Sequence, residues 1–152
     1  MERKKIAGLG LLCLCALLGS GCDALKADNP PYAISKPVSI AGAKEGYYNF
    51  AGIEFTLYNA AEREIAGIEV SCMVYDSETK KSPIIGSNSL RFKSRIAIPP
   101  NNAQAMALSL DPYVYSAPQN PWLIDFLYIS SISYSDGSSW KDSTGAYYSR
   151  SY

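Results

Sequence analysis

The sequence predicts an all-β protein: a single antiparallel β-sandwich of about seven strands, set behind a leader and a tether. Three observations carry this reading. Apolar and polar residues alternate with a period of two through several segments, most clearly from Ile65 to Tyr75. Clusters of Pro, Gly, Asn and Asp separate these segments at intervals of roughly eight to fifteen residues. No segment carries the repeat of a long amphipathic helix.

The chain opens with Arg3-Lys4-Lys5, and Ile6 to Leu18 then carries no charge. A basic start, an apolar run and small residues before a cut form a secretory leader. The run is shorter than the about 20 apolar residues that a spanning helix needs. Gly19, Ser20 and Gly21 follow, and then Cys22. This stretch resembles the lipobox of bacterial lipoproteins, with Gly19 where that family has leucine and Leu18 one place earlier. The resemblance implies that residues 1–21 are a lipoprotein signal peptide. It implies a diacylglyceryl group on the Cys22 sulfur, and acylation of the amine freed by cleavage after Gly21. Each buried methylene stabilises membrane attachment by about 0.8 kcal/mol, and stable anchoring takes more than one chain. The implied location is therefore a bacterial membrane, on its periplasmic face or at the cell surface. Cleavage by an ordinary signal peptidase near Gly21, giving a secreted protein, is the competing reading. Cys13 and Cys15 lie inside the apolar run and leave with the leader.

Residues 22–37 read as a lipid-anchored tether, with Pro30-Pro31 and Pro37 and little periodicity. Residues 38–152 read as the sandwich domain. Phe50 to Asn59 alternates through Ile53, Phe55 and Leu57. After a short polar break, Ile65 to Tyr75 places Ile68, Val70, Cys72 and Val74 on one face. The short break predicts that these two strands are antiparallel neighbours. Pro83 to Ser87 reads as a short strand. Leu90 to Ile98 places Arg91, Lys93 and Arg95 on one face, which must look at water. Pro99 to Asn102 is a turn, and Gln104 to Leu110 turns Met106, Leu108 and Leu110 inward.

Asp111 to Pro121 fits no period and reads as a long aromatic loop. Trp122 to Ser135 has a mixed period: Phe126, Tyr128, Ile132 and Tyr134 share one face, Leu127 and Ile129 the other. A helical turn in Trp122–Leu127 or a bulge accounts for the mixture. Asp136-Gly137 is a hairpin signal, and Ser138 to Asp142 pairs back through Trp140. Ser143 to Tyr152 is an edge strand or a frayed tail.

Pieces of this pattern resemble the immunoglobulin-like modules of bacterial exported lipoproteins, including the FxLYD-type group. They are Asn59-Ala60-Ala61, Val74-Tyr75-Asp76, Ile98-Pro99-Pro100-Asn101, and Ile132 to Trp140, spread over about 50–140. The resemblance implies an immunoglobulin-like sandwich and a non-catalytic binding or spacer role, although a fold alone assigns no function.

Composition excludes several classes of chemistry. The chain has 14 basic and 14 acidic residues, scattered rather than striped, which argues against a nucleic-acid partner. It has no histidine, so Ser-His-Asp and Cys-His arrangements and histidine-containing zinc sites are ruled out. Cys72 alternates with apolar neighbours and reads as a small buried residue. Glu54, Glu69, Asp125 and Asp136 have no spacing that demands a hydrolytic pair. Asp76 and Glu78 lack the spacing of a calcium loop. No catalytic residue, metal or cofactor is expected, apart from the acyl chains on Cys22.

The candidate partner-binding residues are Tyr113, Tyr115 and Trp122, around the proline-rich loop, since exposed aromatics anchor partners. The competing reading has Trp122 and Trp140 in the core, with tyrosines along its rim. The expectation is a membrane-anchored envelope lipoprotein: a non-catalytic binding or structural module for another envelope or surface protein. The alternatives are a small β-barrel carrier of an apolar ligand and a glycan-acting hydrolase.

Overall fold

The computed structural model describes residues 29–42, 50–115 and 118–152. The leader and Cys22 lie outside the described residues. The strands are β1 (Tyr32–Ile34), β2 (Val38–Gly42), β3 (Phe50–Asn59), β4 (Ile65–Asp76), β5 (Leu90–Ile98), β6 (Ala103–Ser109), β7 (Trp122–Tyr134) and β8 (Ser139–Lys141).

They form two antiparallel sheets. In the first, β3 pairs with β6 on one flank, while β1 and β2 follow each other along its other flank. The second runs β5-β4-β7-β8. This is an all-β antiparallel sandwich. Alternation supplies its core. Ile53, Phe55, Leu57, Met106 and Leu108 from the first sheet are buried, as are Ile68, Val70, Cys72, Val74, Ile124, Leu127, Ile129 and Ile132 from the second. The two inner faces fill the space between the sheets, so a small-barrel carrier has no closed sheet to build on among the described residues.

Four local expectations are corrected. First, β3 and β4 are not neighbours: the chain changes sheets between them. Asn59, fully buried, directs the change. Its Nδ2 donates to the carbonyls of Arg63 and Ile98, both at 2.8 Å, and its Oδ1 accepts from Ala61 N–H at 3.0 Å. Second, the tether stops short of Pro37. Tyr32 is buried and pairs with Asn59 across β1 and β3. Its hydroxyl accepts the Ile129 N–H at 3.2 Å, which ties the two sheets together.

Third, Pro83 to Ser87 forms no strand. Ile84 tucks into the core and Ile85 N–H donates to the Tyr113 carbonyl at 2.8 Å. Fourth, of the two readings of β7 the helical turn falls and the bulge holds: it is one strand whose face changes twice. Its buried residues come as Trp122 and Ile124, then Leu127 and Ile129, then Ile132 and Tyr134. The register against β4 slips between Ser71 and Met73 and again between Glu69 and Val70. Each bulge adds one residue, and one residue inverts the faces. Phe126, at φ +51°, sits in the first bulge, with Asp125 Oδ1 accepting its N–H at 2.8 Å. Phe126 and Tyr128 thus face outward, while Leu127 and Ile129 face the core.

The C-terminal segment is attached to the sheet. Ser149 exchanges backbone hydrogen bonds with Leu127, and Ser151 bonds Ile124 through both its N–H and its Oγ. Asp142 holds the preceding turn by accepting from Thr144, Gly145 and Tyr147 N–H groups.

The buried amide yields a measurable expectation. Asn59→Ala strands two carbonyls and one N–H and is expected to cost about 2–4 kcal/mol. Urea unfolding followed by far-ultraviolet circular dichroism checks this; a loss below about 1 kcal/mol contradicts the role assigned to Asn59.

Candidate functional site

The aromatic loop is built at one end of the sandwich. Leu110 N–H donates to the Ala51 carbonyl at 2.7 Å, and Ala51 N–H donates to Asp111 Oδ1 at 2.8 Å. These bonds pin the loop to the start of β3. Asp111–Tyr113 then makes one 3-10 turn with Pro112 in its first positions, where a missing N–H costs nothing. The turn aims Tyr113 back at β5, where its ring meets Phe92 edge-on at 5.8 Å. Tyr115 points the other way and is 90 % exposed.

The second wall of the site is the β4 exit. Asp76 Oδ1 accepts the N–H groups of Glu78 at 3.0 Å and Thr79 at 2.8 Å, and the Thr79 hydroxyl at 3.1 Å. Its Oδ2 accepts from Asn120 Nδ2 at 3.1 Å. These bonds, the Thr79 N–H foremost, hold the Asp76 carboxyl below the usual carboxylate range. Ser77 N–H reaches the Pro121 carbonyl at 3.0 Å, so the two loops are joined. Between them lies a groove of about 350 Å³ lined by Asp76, Thr79, Tyr115, Pro118, Asn120 and Trp122.

The three candidate aromatics therefore divide. Tyr115 and Trp122 line one groove, whereas Tyr113 is half-buried on the far side of its turn. Trp122 is only 6 % exposed, so its ring is mainly core and contributes an edge to the groove. Trp122 packs in the core, as the competing reading has it, while Tyr115 projects into solvent.

The remaining candidates lie apart. Glu54 points out from the first sheet. Glu69 pairs with Lys93 at 3.5 Å on the outer face of the second. Asp125 pairs with Arg150 at 3.1 Å. Asp136 accepts from Ser138 in its turn, which lowers its carboxyl, and lies 3.7 Å from Arg63. Asp76 Oδ1 serves its own turn, and its Oδ2 serves Asn120 on the facing loop.

The tyrosines that crowd the end of the sequence build an aromatic cluster over β7. Tyr148 stacks on Phe126 at 4.8 Å, and Phe126 meets Tyr128 edge-on at 5.4 Å. Arg150 lies over Tyr148 and Tyr152. The Asp142-Ser143-Thr144-Gly145 turn was the available signal that the tail folds back. Gly145, at φ +70°, lies where a Cβ would stand 2.7 Å from Phe126.

No protein-family model and no curated protein matches the sequence. Two solved structures match this chain. One is a hypothetical protein from Peptoclostridium difficile 630, with a TM-score of 0.55 and 16 % identity over 76 % of this chain and 88 % of that one. The other is a Northeast Structural Genomics Consortium target, with a TM-score of 0.46 and 12 % identity over 72 % and 79 % of the two chains. The first likeness shows the sandwich fold. Among the described residues, no helix is long and apolar enough to cross a membrane.

Burial pushes the Cys72 thiol up to about 12 and the Tyr32 phenol likewise to about 12. Both folded values exceed the ordinary ones, so ionisation favours the unfolded chain. Stability from these groups is whole below the ordinary thiol value and falls as the pH climbs toward 12. Native protein at pH 8 is expected to resist iodoacetamide at Cys72 and to react fully in urea. Rapid native labelling of Cys72 contradicts this.

Proposed function

We propose that this chain is a lipid-anchored, non-catalytic binding module of a bacterial envelope that presents its aromatic groove to a protein partner. One observation carries the reading. The chain enters the sandwich at the end opposite the groove. Pro31 is fixed beside the C-terminal end of β3, its carbonyl accepting the Ala60 N–H at 2.9 Å. The groove lies by the start of β3, where Leu110 and Asp111 are tied to Ala51. The ten residues of β3 separate the two ends by roughly 30 Å.

An anchor at Cys22 leaves only residues 23–31 before β1, which reach on the order of 30 Å at full extension. The end that receives the tether faces the bilayer, and the groove faces away. Tyr115 is then the most exposed aromatic at the outward end, with polar Asp76, Asn120 and Thr79 around it. A projecting ring with a polar rim is the arrangement of a protein-binding anchor.

Three experiments test this. Palmitate labelling and membrane fractionation of Cys22→Ala are expected to lose both label and membrane retention; full retention refutes the anchor. A photo-crosslinker at Tyr115 in intact cells is expected to give a discrete protein adduct, absent when the crosslinker sits at Asn101 beside the tether end. Tyr115→Ala is expected to weaken binding of that partner by about tenfold or more. Equal adducts from both positions count against the groove.

A further inference from the structure

The outer face of the second sheet carries an uneven charge. Arg91, Lys93 and Arg95 project from β5 and are exposed, with successive cations roughly 7 Å apart along the strand. Cross-strand register places Lys93, Glu69, Ser131 and Lys141 in one row. Lys93 has its acid, Glu69, at 3.5 Å. Arg91 and Arg95 stand opposite Ser71 and Gly67, which carry no charge. Neither arginine forms an ion pair among the described residues. A groove of about 610 Å³ runs over Gly67 between Lys93, Arg95 and Ser133, so acidic side chains crossing β5 meet open space. Among the described residues β5 is also the end strand of its sheet, with β4 on one flank and no strand on the other.

We propose that the open edge of β5 accepts an extended acidic peptide strand, which adds to the second sheet. Two observations meet here. The free edge offers backbone N–H and C=O groups to any incoming strand. Cations at every second residue match carboxylates at every second position of that strand, because side chains on one face of a sheet recur with period two. The Glu69–Lys93 pair is the precedent inside the sheet: an acid on a neighbouring strand, facing a β5 cation in register. The incoming strand supplies the same pairing to Arg91 and Arg95 from the other flank. The charges also select. A second copy of β5 sets like charges against each other, whereas an acidic strand relieves them. This surface lies on the side of the sandwich, apart from the Tyr115 groove, and acts whether or not Cys22 carries lipid.

The test uses the full chain in detergent and two labelled peptides of the length of β5, nine residues. One alternates Asp and Val; the other has the same composition with all Asp first. Fluorescence anisotropy is expected to show the alternating peptide binding roughly tenfold tighter, with slowed amide exchange confined to β5. Arg91→Ala with Arg95→Ala is expected to weaken it roughly tenfold. Arg91→Asp with Arg95→Asp is expected to transfer the preference to an alternating Lys-Val peptide, which shows that the variants still fold. Equal binding of the block peptide, unchanged affinity of the variants, or unprotected β5 amides overturns the proposal. So does binding of phosphatidylglycerol vesicles through these arginines when neither peptide binds.

Discussion

Asn59 is the constraint on which the architecture depends. A sandwich needs its chain to leave one sheet and enter the other, and each crossing takes backbone groups away from a ladder. Here one buried side chain replaces what the crossing removes. The Asn59 backbone bonds the 101–102 turn, its N–H reaching the Asn102 carbonyl at 2.9 Å and its carbonyl accepting from Asn101 at 3.0 Å. Its amide bonds the break after β3 and the end of β5. Four segments thus converge on one residue: β3, the link to β4, the end of β5, and the β5–β6 turn. Because Ala60 also holds Pro31, the entry of the chain is fixed at the same end. The position of the aromatic groove at the other end follows from that, through the length of β3.

The long strands were legible because alternation reports burial directly. β3, β4, β5 and β6 fall within a residue or two of their sequence bounds, with the expected residues inside. The pairing of β3 with β4 was not legible. A short polar break suits a hairpin and a sheet-to-sheet crossing equally, and the deciding feature is where a buried Asn finds its partners. β1 was hidden for a different reason: three residues between prolines carry too little pattern, and Tyr32 owes its burial to the facing sheet. β7 misled most, since two bulges invert its faces. Within each stretch between bulges the alternation is regular; only the joins break it.

The candidate site was half legible. Composition located an aromatic, proline-rich loop, and the loop does contribute a groove. Composition carries no direction, however, and a single 3-10 turn sends Tyr113 toward Phe92 and Tyr115 toward water. The other wall, Asp76 with its turn, was weighed in the sequence as a calcium loop and not as part of a groove. Its part in the groove comes from the Asn120 and Pro121 bonds across 44 residues of sequence, which no local pattern records. The anchor residue Cys22 stands outside the described residues, so the lipid reading rests on the leader and its lipobox resemblance.

Charge is distributed by side-chain length, and this explains how a chain with no net charge shows a basic strip. Every aspartate among the described residues accepts a backbone N–H at a turn or bulge: Asp76, Asp111, Asp125, Asp136 and Asp142. A short carboxylate reaches the backbone nearby, so turn formation draws the aspartates to the strand ends and irregularities. Lysine and arginine cannot cap an N–H, and their long stems lie along a sheet surface with the charge in water. Of the nine lysines and arginines among the described residues, four lie on strand faces: Arg91, Lys93, Arg95 and Lys141. Among the described residues only Glu69 opposes them from the middle of that face. The scarcity of aspartate on this strip is thus a consequence of how the turns are closed. Moving one of those aspartates to balance the strip removes the acceptor that shapes the end of a strand.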